Sequence, residues 1–107
     1  MKEQVENTLA KIRNVAQAVV PEGSHVLLYG SRARGDFGKD SDWDILVILN
    51  KPEIEQNDYD EVIYPLTALG WKIGEMIVPV IYTHEEWQQN SFTPFYKNVE
   101  HDAIVIL

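Results

Sequence analysis

The chain has 107 residues, 45% of them hydrophobic and 24% charged, with no cysteine and a formal net charge of −8. That length supports one domain around a single core, and the composition is that of an ordinary soluble globular protein. The acidic balance speaks against a broad electrostatic grip on a nucleic-acid backbone, no apolar run is long enough for a transmembrane helix, and the missing cysteines remove disulfides and zinc–thiolate sites. A small phosphorylated substrate carried with its own cation stays compatible with these numbers, as does a basic partner protein. The first residues lack the apolar core of a signal peptide, which together with the absence of cysteine fits a reducing cytoplasm. Nothing reads as an internal repeat, a low-complexity segment or an interdomain linker.

Residues 2–20 read as an amphipathic helix, with Val5, Leu9, Ile12, Ala16 and Val19 on one stripe. Pro21 to Ser24 stops it. His25 to Tyr29 is a short buried strand interrupted by Gly30 and Ser31. A strand that ends in Gly-Ser and leads into a helix leaves backbone N–H groups pointing outward, which is a ready anion site. Gly30 lets a phosphate approach the backbone and Ser31 adds a hydroxyl donor. Taken alone, Gly-Ser reads first as a plain turn. The following Arg32-Ala33-Arg34 forms a turn or two of helix that Gly35 can end. Gly38-Lys39 does not make a Walker A loop, because Ala33 stands where the first glycine is required and Asp40 follows the lysine.

Asp36 to Ser41 is a turn-rich loop, and Asp42 to Leu49 is the second strand. Alternation puts Trp43, Ile45, Val47 and Leu49 on one face, and Asp42, Asp44, Leu46 and Ile48 on the other. Both faces are apolar after Asp44, as in a central strand covered on both sides. Asp42 and Asp44 therefore stand side by side at the edge of a core. Two acids so placed repel each other unless something positive lies between them, and a divalent cation is the natural candidate. A pair of turn or cap residues before a strand is the plainer reading; the cost of setting two acids beside an apolar strand weighs against it.

After a polar loop over residues 50–57, Tyr59, Val62, Ile63, Leu66 and Leu69 keep helical spacing as far as a stop at Gly70, with Pro65 expected to kink or split the helix. Trp71 to Tyr82 then reads as a strand, bent at Gly74, with Pro79 marking an edge or a bulge. Thr83-His84-Glu85-Glu86 is a capping box with Tyr82 and Trp87 as its staple, so Glu85 and Glu86 read as helix-start carboxylates. Thr93-Pro94 opens another helix, and Ala103 to Leu107 is a short terminal strand. His25, His84 and His101 share no metal-ligand spacing and read as a strand start, a helix start and a surface turn.

The two halves, Gly30-Ser31-x-Ala33-Arg34-Gly35 and Ser41-Asp42-x-Asp44-Ile45-Leu46, resemble the signature of the polymerase-beta-like nucleotidyltransferase superfamily, closest to its minimal nucleotidyltransferases. The motif covers about a sixth of the chain, and the order of elements extends the likeness over most of the rest. Either half alone is weak; both at the family's separation are specific. The resemblance implies an α+β fold with a mixed β-sheet and helices packed against it. It also implies Gly30 and Ser31 at the triphosphate of an NTP, and Asp42 and Asp44 as catalytic ligands of one or two Mg²⁺ (or Mn²⁺) ions. Arg34 is a further nucleotide contact, since a guanidinium suits phosphate; a solvated helix arginine is the alternative. Ser41 caps the turn that aims Asp42.

One departure stands out. Active members generally carry a third carboxylate on the later strand, where it helps to activate the attacking hydroxyl. Here Glu75 is the only acid from Gly74 to Tyr82; on the face of Pro79 it would stand about four residues away, on the order of 13 Å along a strand. Nucleotide and metal binding need mainly the first two acids, whereas general-base chemistry needs more.

Two functions of different class follow. The favoured one is a metal-dependent enzyme that moves a nucleoside monophosphate, AMP being one candidate, from an NTP to a hydroxyl acceptor. The other is a catalytically weak or inactive nucleotide-binding module that acts, antitoxin-like, with a partner. Minimal nucleotidyltransferases are often paired with a helical protein of the HEPN type in toxin–antitoxin modules. The chain closes just after its last strand, so a partner chain or a second copy is expected to complete the acceptor site.

Overall fold

The structure, a computed structural model, describes residues 2–107, with side-chain surroundings from residue 3 onward. Helix α1 (Lys2–Val19) is followed by strand β1 (His25–Tyr29), a four-residue helix α2 (Ser31–Arg34) and strand β2 (Trp43–Leu49). A helical stretch then runs through α3 (Gln56–Asp58), a π-helical turn (Tyr59–Ile63) and α4 (Tyr64–Ile73). Strand β3 (Ile77–Thr83), helices α5 (His84–Gln89) and α6 (Pro94–Asp102) and the short strand β4 (Ile104–Val105) complete the chain. The sheet order is β3-β2-β1-β4, with β1 antiparallel to β2 and to β4, and β2 parallel to β3. This is the mixed sheet with packed helices expected of an α+β fold.

The alternation in β2 divides the core in two. Trp43, Ile45, Val47 and Leu49 pack with Ile12 and Ala16 of α1, Val62 of the π turn and Leu66 of α4. On the opposite face Leu46 and Ile48 meet Trp87 of α5 and Val99 of α6. Burial of both faces explains why this strand is apolar throughout after its first residues. The α1 stripe forms as expected, with Ile12 and Ala16 fully buried and Val5, Leu9 and Val19 packed at its margins.

The segment after β2 departs from expectation in one place. Gly70 does not stop the helix, and Trp71 to Ile73 belong to α4, not to a strand. Gly70 is needed because the chain folds back over it: a Cβ there would lie 2.6 Å from the Glu75 carbonyl oxygen. The stop is Gly74, at φ +75°, whose amide donates to the Gly70 carbonyl. Pro65 acts as anticipated. It has no N–H to offer the preceding turn, and the helix widens to π geometry just before it resumes as α4. Pro79 lies on an edge strand, where the missing donor costs little. Thr83 and Glu86 form the reciprocal capping box, with the Tyr82 and Trp87 rings 5.4 Å apart across it. Thr93 caps α6, and His101 lies in that helix's last turn.

Candidate functional site

The site lies where β1 ends against the start of β2. The antiparallel register sets Tyr29 opposite Asp44, so the chain that turns at Gly30 passes directly over the Asp44 side chain. Gly30 has φ +77° and ψ −159°, a region that is essentially glycine-only. A Cβ on Gly30 would lie 2.3 Å from Asp44 Oδ2. Glycine is therefore required twice over, by backbone conformation and by the carboxylate against it. The Gly-Ser half and the Asp-x-Asp half of the sequence pattern meet at this contact.

Ser31 begins α2, whose turn is closed by the Gly30 carbonyl accepting from the Ala33 and Arg34 amides, both at 3.1 Å. Helix geometry leaves the Ser31 and Arg32 amides without intrahelical acceptors. Gly35, at φ +88°, ends the helix as anticipated. Arg34 is half exposed; its Nε lies 3.2 Å from Asp36 Oδ2, and its guanidinium lies 3.8 Å from Asp102 Oδ2. Beside it a cavity of about 200 Å³ opens among Tyr29, Gly30, Arg34, Phe95, Asn98 and Asp102.

Asp42 is exposed and immediately precedes β2, one residue later than the expected strand start; Asp44 is half-buried. The Asp44 carboxyl is raised above its ordinary value, first by burial and then by the Asp42 charge, while the Arg34 charge pulls the other way. The pair is thus electrostatically frustrated, and a hard divalent cation on its carboxylate oxygens would relieve it. Two oxygen-donor acids side by side at the Gly30 turn are a donor set that suits Mg²⁺ or Mn²⁺. Among the described residues no group of three or more His, Cys, Asp or Glu forms a metal cluster.

Glu75 is not part of this pair. It lies 3.9 Å from the Arg32 guanidinium, which stacks on Trp43, a side chain of the sheet face opposite Asp44. On β3 the register places Val78 opposite Asp44 and Val80 opposite Leu46. The β3 position beside Asp44 is thus a valine, not an acid.

Two residues that sequence reasoning passed over also matter. Tyr29 sits beside Asp44, and its phenol is raised above the usual value by burial, by Asp44 and by Tyr82, so it stays a neutral donor. Arg32 is one of the few buried charged groups; its place beside two exposed-looking neighbours in the sequence gave no signal of that.

The Nucleotidyltransferase domain family matches residues 9–103 of this chain. A relative in Methanocaldococcus jannaschii, named "Putative protein adenylyltransferase", is 32% identical over 81 residues, spanning 76% of this chain and 75% of its own. The chain belongs to the nucleotidyltransferase domain family. Its fold is also that of a crystal structure of a toxin–antitoxin with AMP-PNP, with a TM-score of 0.67 and 16% identity, covering 92% of this chain and 72% of that one. No helix among the described residues of this nucleotidyltransferase domain is long and apolar enough to cross a membrane.

Proposed function

We propose that this nucleotidyltransferase domain binds ATP with a divalent cation and transfers AMP to a hydroxyl group on a protein or small molecule. The observation that carries this reading is the Gly30–Asp44 contact, which joins a backbone turn suited to phosphate with the two acids suited to a metal. The choice of adenylyl transfer draws support from the name of the archaeal relative.

In this reading the Ser31 amide and hydroxyl, with the Arg32 amide, donate to phosphate oxygens, and Arg34 adds a guanidinium beside them. Asp42 and Asp44 would hold the cation, which when bound neutralises charge on the phosphates and the attacking oxygen. The acceptor oxygen forms a bond to the α-phosphorus as the bond from that phosphorus to the bridging oxygen breaks. Pyrophosphate leaves, and the acceptor proton passes to a base. Tyr29, held neutral, can donate a hydrogen bond beside Asp44.

A second reading, a nucleotide-binding module of little turnover that works with a helical HEPN-type partner, is favoured by Val78, where a third acid would stand beside Asp44 on β3. Exposed Tyr64, Trp71 and Met76 give such a partner, or a second copy, apolar surface to cover.

Incubation with α-labelled ATP, Mg²⁺ or Mn²⁺ and cell extract or purified partner separates the two. Label transfer that vanishes in Asp42→Asn and Asp44→Asn supports the enzyme. Tight metal-dependent ATP binding with no label on any acceptor leaves the module.

A further inference from the structure

We infer that Arg32 is a positioning residue that aims Asp42 at the metal from the opposite face of the sheet, with Glu75 as its counter-ion. The inference rests on the reading of Asp42 and Asp44 as the metal ligands. Arg32 is the second residue of α2, and its side chain is only 5% exposed. Burying a guanidinium so fully is costly unless its donors are satisfied. Its guanidinium carbon stands 4.3 Å from the Trp43 ring centroid and 4.6 Å from that of Phe37, so aromatic faces hold its plane.

Two of its three nitrogens donate to the backbone of the loop that leads into β2. Nε and Nη2 both donate to the Ser41 carbonyl, at 3.2 and 2.9 Å, and Nη2 also donates to the Lys39 carbonyl at 3.3 Å. The Ser41 carbonyl belongs to the peptide unit that joins Ser41 to Asp42. A fork clamped onto it fixes the orientation of that peptide, and hence the direction in which the Asp42 side chain leaves the backbone. Ser41 reinforces the clamp from its own side, its hydroxyl accepting from the Gly38 amide at 2.9 Å. On the far side the Trp43 amide donates to the Met76 carbonyl at 2.8 Å. Asp42 is thereby held between two pinned peptides although its own side chain is exposed.

The arrangement also gives Glu75 its place. An acid there, 3.9 Å from Arg32, balances a buried positive charge instead of joining the metal ligands. The arginine thus links the phosphate-binding helix α2 to the loop carrying the first acid, so the two halves of the site keep one spacing. Lysine could not replace it, because a single ammonium lacks the planar fork and the stacking.

The test uses Arg32→Lys in the full chain, with Asp42→Asn as reference. Affinity for AMP-PNP is measured by calorimetry with and without Mn²⁺, at a temperature where circular dichroism shows each protein folded. The quantity read is the ratio of the two dissociation constants, the gain due to metal. Groups that orient a metal ligand typically change metal affinity by about 10–100-fold, so Arg32→Lys is expected to reduce the gain at least about tenfold. A role confined to stability would leave the gain in the folded protein unchanged, and that result overturns the inference. If Arg32→Lys does not fold, Phe37→Leu, which removes one stacking ring and keeps the donors, is expected to reduce the gain about threefold; an unchanged gain again overturns it. An Asp42→Asn protein that keeps the full metal gain refutes the metal-site reading itself, separately from the role of Arg32.

Discussion

Replacing Gly30 by alanine tests the contact on which the site is built. The new Cβ meets two separate penalties. Its backbone, at φ +77° and ψ −159°, lies where a non-glycine residue costs about 1–3 kcal/mol. It would also stand 2.3 Å from Asp44 Oδ2 and 3.2 Å from the carboxyl carbon, so either the carboxylate or the turn must move. A total loss of about 3 kcal/mol is expected, which for a domain of this size lowers the melting temperature by about 12–20 °C. Repeating the substitution in an Asp44→Ala background separates the two parts. There the remaining Asp44 Cβ lies 3.4 Å from the added methyl, an ordinary contact, and only the backbone penalty survives. The expected coupling in the double-mutant cycle is about 1 kcal/mol, read by thermal and urea unfolding. Equal losses in both backgrounds would refute the claim that Gly30 is glycine partly to make room for Asp44.

Further outcomes follow from the same geometry. Because burial and Asp42 raise the Asp44 carboxyl in the folded state, the folded protein holds that proton more tightly than the unfolded chain. This contribution to stability is present below the ordinary carboxylate value and lost as pH rises through the folded one. Asp44→Asn should therefore melt higher than wild type at pH 7 without metal, by a margin that solvent screening keeps small, with the difference shrinking as pH falls into the ordinary carboxylate range; a lower melting point at pH 7 would contradict this. Val78→Asp places a third acid opposite Asp44 and should lower the metal-free melting temperature while raising Mn²⁺ affinity about tenfold, as ligand charge count does at oxygen-donor sites; titration followed by electron paramagnetic resonance measures it. Thr83→Ala removes the hydroxyl that accepts from the Glu86 amide at 3.1 Å and should cost about 1 kcal/mol in unfolding experiments while leaving AMP-PNP affinity unchanged.

Much of this was legible in the chain, and the exceptions have physical causes. The α1 stripe, the doubly buried β2 and the Thr83 capping box follow from period and local chemistry, and each forms as read. The Gly70 stop failed because a glycine needed for close approach of a later segment looks the same in sequence as a glycine needed for a positive φ. That two sequence halves would converge could be inferred only through the family pattern; what no pattern shows is that Gly30 and Asp44 touch, since this depends on the β1–β2 register. Arg32 was hidden for a related reason. Its carbonyl partners lie seven and nine residues away in a loop, and its ring partners in different elements. Glu75, the only acid from Gly74 to Tyr82, proved to answer that arginine on the other face of the sheet.

The central claim is that Asp42 and Asp44 hold a divalent cation beside the Gly30–Ser31 turn. Adding substoichiometric Mn²⁺ with AMP-PNP to ¹⁵N-labelled protein tests it most directly, because a paramagnetic ion erases the amide signals nearest to it. The account predicts that Gly30, Ser31, Asp42, Asp44 and Val78 disappear first, and that Asp44→Asn abolishes the effect. Loss that begins instead in the acidic segment from Glu53 to Glu61, with the Gly30 and Asp44 signals intact, would contradict it.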